Sequence, residues 1–133
     1  MFGYDNVHTV TVCVSDPTAD AVIPIWKAPT RLAKVEILEA WILSDTAIAG
    51  ASTQIAAALV DKGPAGTATE SLMTGTLGTA TTGDWAALTP RNFTITEGTI
   101  DGGDYVALKY DETGTIAPLN LVVGFNWVSG VGA

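Results

Sequence analysis

Six basic side chains in 133 residues are few, and they are scattered: Lys27, Arg31, Lys34, Lys62, Arg91 and Lys109. Phosphate neutralisation needs a basic stripe, so nucleic acid is excluded as a partner. The formal net charge of −8 repels an anionic membrane surface as well. Cysteine is nearly absent. Cys13 stands alone, so an intrachain disulfide and a multi-cysteine zinc or iron–sulfur site are both excluded, and no cofactor is implied. Histidine is as scarce. His8 lies in phase with Val10 and Val12 on a strand-like run, and no G-x-S-x-G elbow appears anywhere in the sequence, so no nucleophile–base pair for Ser or Cys catalysis is expected. The opening MFGYDNVHTV has neither a basic stretch nor a continuous apolar run, which predicts no Sec-type leader.

Charged residues make up only 15% of the chain, against 47% hydrophobic residues, while threonine and alanine number 19 each. Threonine is β-branched and suits strands. An exterior with so few charges fits a protein packed against copies of itself or against a larger partner. The length suits one domain spanning 1–133.

The last 21 residues, after Glu112, carry no charge and imitate a membrane span. Leu119, Leu121, Val123, Phe125 and Trp127 nevertheless alternate with Asn120, Gly124 and Asn126. That period of two is a strand with one buried face, not a spanning helix.

Similar runs recur. VHTVTVCV places Val10, Val12 and Val14 on one face and Thr9, Thr11 and Cys13 on the other. AVIPIWKA contains Pro24, which cannot donate to a ladder and so predicts an edge or irregular strand. LAKVEILEAWIL fits both periods: Val35, Ile37, Trp41 and Leu43 alternate, while Val35, Leu38 and Ile42 match a helical stripe. Its β-branched content favours a strand. TQIAAALVDKG stays open between helix and strand, and residues 66–84 read as a long loop with one short strand near SLMT. RNFTIT, DYVALKY and LNLVVGFNW complete about eight strands, without the βα alternation of a parallel sheet, which predicts an all-β antiparallel sandwich or barrel.

Carboxylates are plentiful but not arranged for chemistry. DGGDYVALKYDETG lacks the ligand spacing of an EF-hand loop. Its alternating centre predicts a strand between two turns, DGG and DETG, whose separation of roughly 20 Å keeps the acidic pairs from sharing one ion. No metal site is expected. Glu36 and Glu39, three apart, are expected on opposite strand faces; Glu39 interrupts the apolar phase of Val35, Ile37 and Trp41, with Lys34 or Arg91 as its expected partner. No catalytic residue is assigned.

Of four tryptophans, Trp41 and Trp127 are in phase with apolar neighbours and expected in the core. Trp26 and Trp85 lie beside Pro- and Gly-rich turns. They are candidates for exposed stacking or anchoring residues, or else for covering the open end of a sandwich.

In order and texture, PIWKAPTRLAKVEILEAWIL, ALVDKGPAGT, DWAALTPRNFTIT and IDGGDYVALKYDETG, followed by a closing apolar strand, resemble the jelly-roll decoration or cement proteins of tailed-phage heads, over roughly residues 20–128. The resemblance implies a single-domain jelly-roll sandwich and a non-enzymatic structural virion protein on the capsid exterior, made in the host cytoplasm. It also implies a homotrimer that bridges subunits of the major capsid protein, often through an N-terminal arm. Here residues 1–6 form a short candidate arm, with Phe2 and Tyr4 as anchors beside the interface candidates Trp26 and Trp85. A carbohydrate- or receptor-binding sandwich module of a phage tail or fibre, stacking sugars on Trp26 or Trp85, is the competing expectation.

Overall fold

A computed structural model describes residues 7–15, 17, 21–48, 54–79, 83–113 and 120–129. Ten strands are present among them: β1 (His8–Ser15), β2 (Ala21–Lys27), β3 (Lys34–Ser44), β4 (Gln54–Asp61), β5 (Ser71–Leu72), β6 (Leu77–Gly78), β7 (Arg91–Asn92), β8 (Thr99–Asp101), β9 (Tyr105–Thr113) and β10 (Asn120–Ser129). They form two sheets with every pairing antiparallel. The first runs β1-β10-β3, with β7 and β8 sharing the far side of β3; the second runs β2-β9-β4, with β5 and β6 sharing the far side of β4.

Counting each of these broken pairs as one position leaves eight positions, the expected number. The first and last strands are neighbours, and successive positions alternate between the two sheets except where β5 and β6 follow β4 in the second. That connectivity is a jelly-roll sandwich, built of two Greek keys. The β4 segment, open between helix and strand in the sequence, is a strand in which Ile55, Ala57 and Leu59 face the core. The 66–84 stretch supplies two short strands, β5 and β6, instead of one.

Between the sheets lies one apolar cluster that includes Val35, Ile37, Ile42, Ile55, Leu59, Leu108, Tyr110, Leu121, Val123 and Phe125. The closing uncharged segment is β10, with Leu121, Val123, Phe125 and Trp127 turned inward. No helix among the described residues is long and apolar enough to cross a membrane.

Two bulges decide which side chains reach that core. In β3 the pairing with β10 steps from Glu39↔Asn126 to Ile37↔Trp127, leaving Leu38 as an extra residue. A bulge shifts the alternation by one. Val35 and Ile37 face inward before it, and Ala40 and Ile42 after it. Trp41 and Leu43 therefore lie on the outer face, and Trp41 is not a core residue as expected. The inward step from Ile37 to Ala40 is this bulge, and Leu38, which matched a helical stripe, is its extra residue. Glu36 and Glu39 consequently share the outer side. In β2 the register steps from Pro24↔Ala107 to Trp26↔Val106, with Ile25 extra. Pro24 sits on an edge strand beside this irregularity, as proline chemistry requires.

Of the two turns read in DGGDYVALKYDETG, the first is present. Residues 101–104 cross from β8 in one sheet to β9 in the other. Gly103 adopts φ 90°, and a Cβ on Gly102 would lie 1.7 Å from the Leu32 carbonyl oxygen, so both positions need glycine. The second, expected at Asp111–Gly114, is not formed by its first three residues, and Gly114 lies outside the described residues. Asp111 and Glu112 continue β9, opposite Ala56 and Ile55.

Candidate functional site

Each expected site residue has a definite place or lies outside the described residues, as Phe2 and Tyr4 do. Trp26 is half-buried, because the β2 bulge turns it inward. Its ring lies 5.1 Å from Phe125, edge-on at 70°, and 5.3 Å from Trp127. His8 stacks on Trp127 at 4.4 Å, continuing this aromatic group to the start of β1. Trp85 is only 2% exposed, which corrects the expectation of a free ring. Its backbone pairs with Ile48, its indole Nε1 donates to the Thr89 carbonyl at 2.7 Å, and the Arg91 guanidinium lies 5.2 Å from the ring centre. Neither ring is an open platform.

The ion pairs also fall differently. Lys34 pairs with Asp101, its opposite residue on β8. Arg91 donates to the carbonyls of Gly83 and Asp84. Glu39 instead accepts from the Asn126 amide, and Asn126 accepts from Thr9 Oγ1 at 2.7 Å. These three side chains form a polar row across β1, β10 and β3.

Beside that row lies the surface that alternation alone conceals. Thr11, Gly124, Trp41 and Asn92 are opposite one another across β1, β10, β3 and β7. Gly124 makes room for the indole: a Cβ there would lie 2.4 Å from two Trp41 ring carbons. Trp41 therefore rests directly on the sheet, as aromatic side chains do over strand glycines. The next row is Cys13, Val122 and Leu43. Neither row contains a charged side chain, and every member except Gly124 is at least partly exposed. The signal for this face was present in the sequence: Glu39 breaks the alternation, and Gly124 interrupts an otherwise bulky strand.

The second sheet treats its outer face differently. Ala56, Ala58 and Val60 of β4 stand opposite Asp111, Lys109 and Ala107 of β9. Ala58, Val60 and Ala107 are buried although they point away from the core cluster. The segment after β4 folds back here. Lys62 N donates to the Tyr105 carbonyl, a Cβ on Gly66 would touch the Tyr105 ring, and Glu70 pairs with Lys109 at 2.7 Å. Two hollows of about 200 and 270 Å³ remain around Lys109 and Asp111. Lys109 holds the Glu70 carboxyl below its usual range.

At the end of β4, Asp104 is buried close to Asp61 and Asp101. Burial first, then the hydrogen bond and like charge of Asp61, push its carboxyl up to about 6. Among the described residues, no three His, Cys, Asp or Glu side chains converge as metal ligands.

The fold and these surfaces define a jelly-roll β-sandwich with one open, low-charge sheet face. No family model and no curated protein matches the sequence. Among solved structures, the chain is similar to one in the structure of infectious bursal disease virus, Gx strain, at 12% identity and a TM-score of 0.47, over 97% of this chain and 34% of that one. It spans about a third of that chain's length.

Proposed function

We propose that the chain is a structural virion protein that decorates a bacteriophage capsid and bridges its major capsid subunits, with no catalytic role. The observation that carries this reading is the outer face of the first sheet. Two adjacent rows across three or four strands present Trp41, Leu43, Val122, Thr11 and Asn92 without one charge. Burying such a surface desolvates no ion, and a flat face meets another protein more readily than it encloses a small molecule. Repeated over many copies on a shell, modest contacts become strong through multivalency. The phage-head resemblance supplies the setting: the capsid exterior, with three copies about a three-fold point.

Adding purified protein to undecorated shells is expected to raise their rupture temperature, and Trp41→Ala is expected to lose most of that gain. Unchanged rupture temperature and shell composition with the native protein would overturn the proposal.

A second reading, sugar binding by a tail or fibre module, is favoured by one observation. The Trp41 indole lies flat on Gly124, one row from the Thr9–Asn126–Glu39 hydrogen-bonded series, which pairs a stacking surface with polar groups. Titration with a glycan panel separates the two readings. Quenching or a blue shift of fluorescence that disappears in Trp41→Ala would favour sugar.

A further inference from the structure

The sandwich has four edges, and three of them are blunted. The far sides of β3 and β4 carry only broken strands of two or three residues. β2 is interrupted by Pro24 and a bulge, and it ends in Lys27. Natural sheets use these devices to prevent edge-to-edge pairing. β1 has none of them. It runs eight residues, HTVTVCVS, without Pro, Lys, Asp or Glu, in unbroken register with β10. Among the described residues no strand pairs with its other side, and seven of its eight residues are exposed or half-exposed.

We propose that β1 is a pairing site for a second copy of this chain, strand against strand about a two-fold axis through Val12. The register follows from the pleat. Residues opposite one another in an antiparallel pair must point to the same face and share the same hydrogen-bonding type, so both must be odd-numbered or both even. Centring on Val12 sets Val12 against its own copy and Val10 against Val14, which continues the inner face. On the outer face it sets Thr11 against Cys13 and Thr9 against Ser15. Valines meet valines, and small polar side chains meet each other. Two chains of net charge −8 thus approach along a strand that carries no carboxylate. The two five-stranded sheets become one continuous sheet, and their open outer faces, with a Trp41 on each, lie side by side.

This contact goes beyond the decoration reading and is read on the free protein, so failure to bind shells leaves it standing. Mild oxidation of Thr11→Cys is expected to join two chains, through the introduced thiol of one copy and the native Cys13 of the other. Wild type and Thr11→Cys/Cys13→Ser are expected not to cross-link, because like positions then sit diagonally, beyond disulfide reach. Val12→Lys, which sets two ammonium groups opposite each other, is expected to halve the native mass in sedimentation over a concentration series, run at a temperature where the variant's own unfolding curve shows it folded. The halving is expected whether or not a three-fold contact also forms.

Cross-linking of Thr11→Cys/Cys13→Ser in place of Thr11→Cys would overturn the register. A native mass unmoved by Val12→Lys, with no cross-link, would overturn the pairing. So would a Val12→Lys variant that loses shell binding although free Thr11→Cys never cross-links, since the edge would then belong to a strand of the shell.

Discussion

The two sheets share one core but finish their outer faces in opposite ways. The second sheet covers its own: Ala58, Val60 and Ala107 point outward yet are buried beneath the returning 62–76 segment, which Glu70 ties to Lys109. The first sheet leaves Trp41, Leu43 and Val122 partly exposed on its outer surface, and among the described residues its β1 edge is unpaired. Outward direction therefore says little about burial until the loops are placed. A covered face is a stability element, while an uncovered, low-charge one is available to a partner.

The largest expected effect tests this contrast directly. Val60→Ala and Leu43→Ala both shorten outward-facing side chains. Val60 is fully buried, so losing two methyl groups and leaving a void should cost about 2 kcal/mol. Leu43 is partly exposed and lies outside the core cluster, so its loss should cost less, about 1 kcal/mol, in the free protein. Chemical denaturation of the two variants measures the difference. Equal costs would mean that the first sheet's face is as well covered as the second's.

A smaller effect concerns the closed side alone. The Asp104 carboxyl titrates near 6 in the fold, above its ordinary value of 3.8. A raised carboxyl favours the folded state while protonated, so its contribution is complete below about pH 4 and is lost as pH rises through about 6. On the order of 1–2 kcal/mol is at stake, burial of Asp104 being the larger cause and the neighbouring charge of Asp61 the smaller. Asp104→Asn keeps a donor toward Asp61 and removes the charge. The difference in unfolding free energy between variant and wild type should grow in the variant's favour from pH 4 to pH 7.5. A difference that stays flat across that range would show that the carboxyl is not held neutral.

Much of the fold was legible in the residues, since period-two alternation in β1, β9 and β10 fixes faces and core together. Pro24 marked an edge strand by simple backbone chemistry. The site was less legible, because bulges at Leu38 and Ile25 are single-residue insertions that reverse every later side chain. Trp41 and Trp26 thus exchanged the places that uninterrupted alternation assigns them. Trp85 was hidden for another reason. Its burial depends on Ile48, Thr89 and Arg91, which come together only when the loops close. Covering of the second sheet was equally invisible, since a run of Ala, Gly and Thr does not announce what it lies on.

The smallest effect concerns a side chain that the open side leaves in water. Leu88 has φ 57°, a left-handed conformation uncommon for leucine, and is 68% exposed. Its amide donates to the Ser44 carbonyl at 2.7 Å, which ties this turn to the end of β3, next to Leu43. A left-handed residue with a Cβ costs roughly 1–2 kcal/mol, and glycine removes that strain while adding roughly 0.5–1 kcal/mol of unfolded-chain entropy. Leu88→Gly should therefore stabilise the free protein by a few tenths to about 1 kcal/mol, read as a rise in the midpoint of unfolding. A strained leucine left mostly exposed among the described residues is better explained by a partner than by folding, so the same variant should occupy undecorated shells less fully. Destabilisation would show that Leu88 packs within the fold, and full shell occupancy would remove it from the contact surface.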